Sequence, residues 1–237
     1  MPILGSAVVV RPKFDLATDY GNYYMGLAVA QARMQVRDLS GPDATKANLD
    51  AALNEVDPIL CYWLGHGNAD TYTVQNQEVY MQTCSGDEKL SGRNVILLSC
   101  SCGISLGPDM ASKGALAVHA WAVDFTWVAD GVPPDPKSDG FFEAVNELWF
   151  AHNEGVLPTV AHTRSLAVWD KWIDYWVASS DPYASLVVQH LVHDRDGMRL
   201  FGVGDTPSNP PTQEIALPVW EMPLIAGQGL LLFALIL

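Results

Sequence analysis

Basic residues are scarce in this chain. Its 237 residues include 13 Lys and Arg against 27 Asp and Glu, a formal net charge of −14, and the few cations are scattered. With no basic cluster to track a phosphate backbone, nucleic acid is excluded as a natural partner. The acidity favours solubility and encounter with basic partners, and says nothing of fold. Cysteine is sparse as well, with Cys61, Cys84, Cys100 and Cys102 the only four. That is too few for a secreted disulfide scaffold, and no Cys-x-x-Cys pair marks a structural zinc site. Reduced thiols in a cytoplasmic protein, with no metal and no cofactor, are the simpler expectation. No internal repeat is present. The N-terminal run from Met1 to Arg11 lacks a basic leader, is too short for a signal peptide, and reads as a first strand.

What is present is concentrated in two apolar runs with polar tips. One is Ile59-Leu60-Cys61-Tyr62-Trp63-Leu64-Gly65-His66-Gly67, the other Asn94-Val95-Ile96-Leu97-Leu98-Ser99-Cys100-Ser101-Cys102-Gly103. Short continuous runs of this kind, rich in apolar and aromatic residues and bounded by glycine, read as buried strands of a parallel sheet. In open α/β sheets the functional crevice lies beyond the carboxyl ends of the strands. Two such strands side by side would therefore bring the His66 imidazole and the Cys100 thiol together, the arrangement of a cysteine nucleophile with a histidine partner.

The rest of the chain supplies a βαβ rhythm. Tyr20 to Arg37 carries an aromatic stripe expected to be helical, Val36 to Leu39 a short strand, and Thr45 to Glu55 a second helix ending before Asp57-Pro58. Between the two tipped strands, Asn68 to Ser91 is polar, with Thr71–Val74 and Val79–Met81 as small strands. Pro108 to Lys113 suits a short helix, and Ala115 to Val123 the next strand. Ala129 to Lys137, with Pro133, Pro134 and Pro136, is a loop that cannot enter a sheet interior. Three helices are expected at Asp139–His152, Leu157–Val177 and Pro182–His193, with Trp169, Trp172 and Trp176 in the core. His190, His193 and Asp194 stand at metal-ligand spacing, yet no third segment joins them, and an exposed helix face accounts for them better.

The order of these motifs resembles the caspase-like superfamily of cysteine peptidases, and among its members gingipain-like, CHAT-like and separase-like domains. Gly65-His66-Gly67 resembles the histidine tip, and Ser99-Cys100-Ser101-Cys102-Gly103 the nucleophile tip with glycine three places after the cysteine. Gly114 to Asp124 is similar to the Gly-Ala strand followed by Trp-x-x-Asp, and Arg199 to Asp205 to the closing strand. The likeness spans about residues 6 to 206. It implies an α/β fold, a three-layer α/β/α sandwich around a mostly parallel sheet, and cleavage of protein or peptide substrates by a His66–Cys100 dyad. It also implies an oxyanion hole from the N–H groups of Gly67 and Cys100, and an acid, Asp124, that would bind a basic P1 side chain, with Asp70 as the alternative acid. Cys102, directly before Gly103, does not fit the nucleophile pattern. The competing reading is a catalytically silent caspase-like interaction module, with Cys100 a buried small residue and His66 a turn residue.

Three segments follow from composition and resemblance together: a peptidase domain at 1–206, a Pro-rich linker at 207–214, and an apolar tail at 215–237. Met222 to Leu237 holds 16 uncharged residues, roughly 24 Å of helix at ~1.5 Å per residue, short of a hydrocarbon core of ~30 Å. Extending the span back to Ile215 brings in Glu221, Pro218 and Pro223. The tail is read as a membrane anchor, with a terminal element docked on the domain as the alternative.

Overall fold

The computed structural model describes residues 5–202 and 233–236. The expected linker, Val203–Asp205 of the expected closing motif, and the tail apart from 233–236 lie outside the described residues. The central sheet has six strands: β1 (Ser6–Arg11), β2 (Gln35–Ser40), β3 (Leu60–Leu64), β6 (Asn94–Leu98), β7 (Ala117–Trp121) and β9 (Met198–Phe201). Their order is β2-β1-β3-β6-β7-β9, parallel throughout except for β9, which runs antiparallel on β7. Every residue of β3 and β7 is buried, as strands covered on both faces require. A hairpin of β4 (Thr71–Thr73) and β5 (Val79–Gln82) stands apart from the sheet.

Helices cover both faces, so the architecture is the caspase-like three-layer α/β/α sandwich. On one face, α1 (Leu16–Val29), α4 (Asp139–Asn153), α5 (Pro158–Val177) and α6 (Ala184–Gly197) pack over Val9, Tyr62, Leu64, Ile96 and Leu98. On the other, α2 (Lys46–Val56) and α3 (Leu106–Ser112) cover Val8, Val10, Trp63, Val95 and Leu97. Successive residues of each strand alternate between the two clusters, the period-two consequence of the pleat. Trp169 and Trp176 are buried in the first cluster and Trp172 packs partly buried against it.

Two expectations shift. The first helix begins earlier than Tyr20 and ends at Val29, because Asp15 and Thr18 form a capping box at its start. The segment after Met34 is recruited as β2 by parallel pairing with β1, from Ser6↔Gln35 to Arg11↔Ser40. The second concerns a strand not anticipated: β8 (Thr126–Ala129) follows Phe125 and pairs antiparallel with β10 (Phe233–Ile236) in a separate two-stranded sheet. Those four tail residues therefore have a strand partner. Among the described residues no helix is long and apolar enough to cross a membrane.

Candidate active site

The parallel register of β3 and β6 runs from Leu60↔Asn94 to Leu64↔Leu98, and Gly65 N–H donates to Leu98 O at 3.2 Å just beyond it. His66 and Cys100 each stand two residues past the last paired residue of their strand, Leu64 and Leu98, at the carboxyl edge of the sheet. Cys100 belongs to the cluster beneath α1 and α4, as Leu98 does. His66 is turned the same way, with its ring 5.6 Å from that of Phe14 and its Nε2 2.6 Å from Oδ2 of Asp15, the cap of α1. Both residues thus lie on the α1 side of the sheet at its carboxyl edge.

Asp15 is a site residue that the sequence reading missed. Its carboxylate accepts from Thr18 N–H at 2.8 Å and from the Thr18 hydroxyl at 2.8 Å while its other oxygen meets His66. Partial burial works to raise this carboxyl, but the Thr18 N–H, His66 and the Thr18 hydroxyl outweigh it and hold Asp15 below its ordinary value. The available signal was Asp-x-x-Thr ahead of a helix, which marks a cap and not a catalytic partner. An ionised Asp15 accepting Nε2–H leaves Nδ1 of His66 as the atom free to exchange a proton.

Cys100 is 2 % exposed, and its Sγ lies 4.0 Å from Phe125 O. Burial pushes this thiol well above its ordinary value, and the charge of Asp124 adds to the effect. Between Cys100 and Cys102, Ser101 adopts a left-handed conformation (φ 56°), its N–H donating to Val123 O. The turn sends Cys102 to the opposite cluster, under α3, where its Sγ faces Thr71 O at 3.5 Å. Burial pushes Cys102 up to about 12. The two thiols therefore face different sides of the sheet, and only Cys100 shares the face of His66.

Gly67 is bound to its conformation by crowding. A Cβ there would collide with Ser99 Oγ and lie 2.7 Å from Thr71 O and 2.8 Å from Cys102 Sγ. It bridges Tyr72 through bonds made by its neighbours, Thr73 N–H to His66 O and Asn68 N–H to Thr71 O. In such a pair the N–H of Gly67 itself points away from β4. Among the described residues neither this N–H nor that of Cys100 has a loop or side-chain acceptor.

Asp124, Thr126, Gln189, His190 and His193 line an open cleft of about 270 Å³, to which neither Cys100 nor His66 contributes. The exposed Asp124 carboxylate accepts from Ser101 Oγ at 2.8 Å, and its carbonyl faces His193 Nε2 at 3.0 Å. Asp70 is elsewhere: it lies on the loop before β4, its carbonyl and carboxylate engaged by Thr83. The exposed-face reading of α6 needs correction, because Asp194 is fully buried and accepts from Thr126 N–H at 3.2 and 3.3 Å. His190 Nδ1 lies 2.8 Å from Thr126 Oγ1. These α6 side chains dock the helix on β8, so their spacing reflects packing against that strand.

The described residues form a three-layer α/β/α fold with a histidine and a cysteine at the carboxyl edge of its central sheet. No protein-family model and no curated protein matches the chain. Among solved structures, it is similar to the complex of Porphyromonas gingivalis RgpB pro- and mature domains, at 12 % identity and a TM-score of 0.50. The match covers 84 % of this chain and 47 % of the other, so the chain spans about half the length of that structure. The likeness is one of fold.

Proposed function

We propose that the chain is a cysteine endopeptidase. The observation that carries the reading is the placement of His66 and Cys100 two residues past the paired ends of neighbouring strands, on the face covered by α1, with Asp15 on Nε2 of the imidazole. Nδ1 of His66 takes the proton from Cys100, and the thiolate attacks the scissile carbonyl carbon. The oxyanion forms against the N–H groups of Gly67 and Cys100. The imidazolium, stabilised by Asp15, gives its proton to the departing amine as the C–N bond breaks. Water, deprotonated by His66, then hydrolyses the thioester and releases Cys100.

Asp124 supports cleavage after Arg or Lys. It is exposed at the mouth of a cleft large enough for an extended basic side chain, and Ser101 already fixes one of its oxygens. A carboxylate so held would pair with a guanidinium by charge and geometry together. A silent interaction domain is the competing reading, favoured by the 2 % exposure of Cys100. A positional peptide-library assay of the protein against its Cys100→Ala form decides between them. Cleavage that is lost in the variant supports the peptidase, and a full library left uncut by the wild-type chain and by variants with an accessible Cys100 rejects it.

A further inference from the structure

The strand β8 begins beside the candidate nucleophile. It starts one residue after Phe125, whose carbonyl is the partner of Cys100 Sγ, and its first residue lines the cleft beside Asp124. One of its edges is closed at that point, since Thr126 N–H is turned to Asp194 of α6. The opposite edge carries β10, with Ile236 opposite Thr126, Leu235 opposite Trp127, Ala234 opposite Val128 and Phe233 opposite Ala129. The strand β10 also approaches α1, the helix whose cap residue Asp15 holds His66.

The direction of β10 matters more than its presence. Antiparallel pairing makes it run from Ala129 toward Thr126, so that its carboxyl end points at Phe125 and the thiol. An extended peptide bound there in the same sense would present its next carbonyl to Cys100, which is the polarity of the acyl side of a substrate. Strand addition to an edge admits one occupant at a time. We propose that Phe233–Ile236 is a built-in occupant of the acyl-side subsites, which a peptide substrate must displace before cleavage. The proposal rests on the cysteine peptidase reading. Cys100 is 2 % exposed, and displacement of β10 is expected to raise its accessibility.

A tethered occupant competes as though present at a fixed effective concentration and raises the apparent KM without touching kcat. Because Thr126 N–H faces Asp194, Thr126 and Ile236 form a pair without mutual hydrogen bonds, and the next pair, Trp127 and Leu235, exchanges both. Leu235→Pro removes one of these donors and breaks the pairing, while Leu235→Val preserves it. The test measures peptide-library cleavage, iodoacetamide labelling of Cys100 and the unfolding midpoint for the wild-type chain and both variants. The buried Cys61 serves as the internal control for global opening. The expected result is an increase of roughly tenfold or more in Cys100 labelling and a matching fall in KM for Leu235→Pro alone, with kcat and Cys61 labelling unchanged. Equal labelling and equal KM in all three proteins overturn the proposal. A Leu235→Pro chain that loses its unfolding transition and labels Cys61 also overturns it, since a segment the fold cannot release is no displaceable occupant. Faster Cys100 labelling with no peptide cut by any variant retains the cover and rejects the peptidase reading instead.

Discussion

Nε2 of His66 lies 2.6 Å from Oδ2 of Asp15, and this contact ties the end of β3 to the first turn of α1. The same carboxylate therefore caps a helix and sets the tautomer of the imidazole. Asp15→Asn separates the two duties, because Asn caps a helix about as well as Asp. The folded state should be retained, with an unfolding midpoint close to wild type. Peptide cleavage should fall on the order of 10²-fold, since the imidazolium loses its counter-charge and Asn can donate to Nε2 and hold the wrong tautomer. Asp15→Ala should also lose about 1 kcal/mol of stability from the missing cap. Asp15→Asn at full activity would remove Asp15 from the mechanism.

Cys100 and Cys102 stand two residues apart and face opposite sides of the sheet. Cys100→Ala and His66→Ala should each abolish cleavage and leave the fold intact, while Cys102→Ala should keep most of the activity. Cys102 is fully buried, so its replacement removes packed atoms and is expected to lower stability by roughly 1 kcal/mol. Steady-state cleavage with denaturant unfolding on all three variants checks both statements. An inactive Cys102→Ala chain beside an active Cys100→Ala chain would reverse the nucleophile assignment.

Asp124 has two measurable consequences of opposite sign. As the charge that would meet a basic P1 group, its loss in Asp124→Asn should reduce cleavage after Arg and Lys by orders of magnitude. As an anion that helps hold the Cys100 thiol up, its loss should also make the thiolate easier to form and quicken alkylation of Cys100. Misfolding would also slow cleavage and quicken alkylation of the buried Cys100, so labelling of the buried Cys61, which global opening raises and the loss of the Asp124 charge does not, separates the two. A library preference for acidic or small apolar P1 residues would dismiss the specificity assignment.

Much of the fold was legible because it is written in local patterns. The runs at Leu60–Leu64 and Asn94–Leu98 are apolar on both faces, which only a sheet covered twice accommodates. Their tips offered His66 and Cys100 as candidates, and the pairing of the two strands places both at one edge of the sheet. Asp15 was not legible as a site residue because its link to His66 spans 51 positions and comes from the packing of α1 against the sheet edge. The strand β8 escaped because Phe125-Thr126-Trp127-Val128-Ala129 is short, and its strand partner among the described residues lies about a hundred residues downstream. The role of α6 was misjudged for a related reason. Burial of Asp194 is decided by Thr126 N–H, a donor no periodicity in α6 reveals.

The last prediction concerns three histidines far from any role in cleavage. His119 of β7 is fully buried, its Nε2 lies 3.2 Å from Nε2 of His152 on α4, and the ring of His162 on α5 stacks on it at 5.8 Å. Burial holds His119 well below its ordinary value, with the neighbouring imidazoles adding to the effect. Burial lowers His152 to about 4, and burial with the charge of Arg199 lowers His162 to about 4. These groups titrate near 6.5 when unfolded. Between pH 6.5 and 4 the unfolded chain therefore binds more protons than the folded one, and stability rises with pH across that window and is lost as pH falls through it. Each unit of depression is worth about 1.4 kcal/mol, so the loss should reach on the order of 3 kcal/mol for each such histidine by pH 4.5. Asp194 works in the opposite sense, because burial raises its carboxyl and its contribution is lost as pH rises. A variant is needed to isolate the histidines. In His152→Gln the amide can still bond His119 but binds no proton, so the acid limb of the urea midpoint between pH 6.5 and 4.5 should become shallower. Identical limbs in the two proteins would show that the imidazole cluster takes up no protons differentially on unfolding.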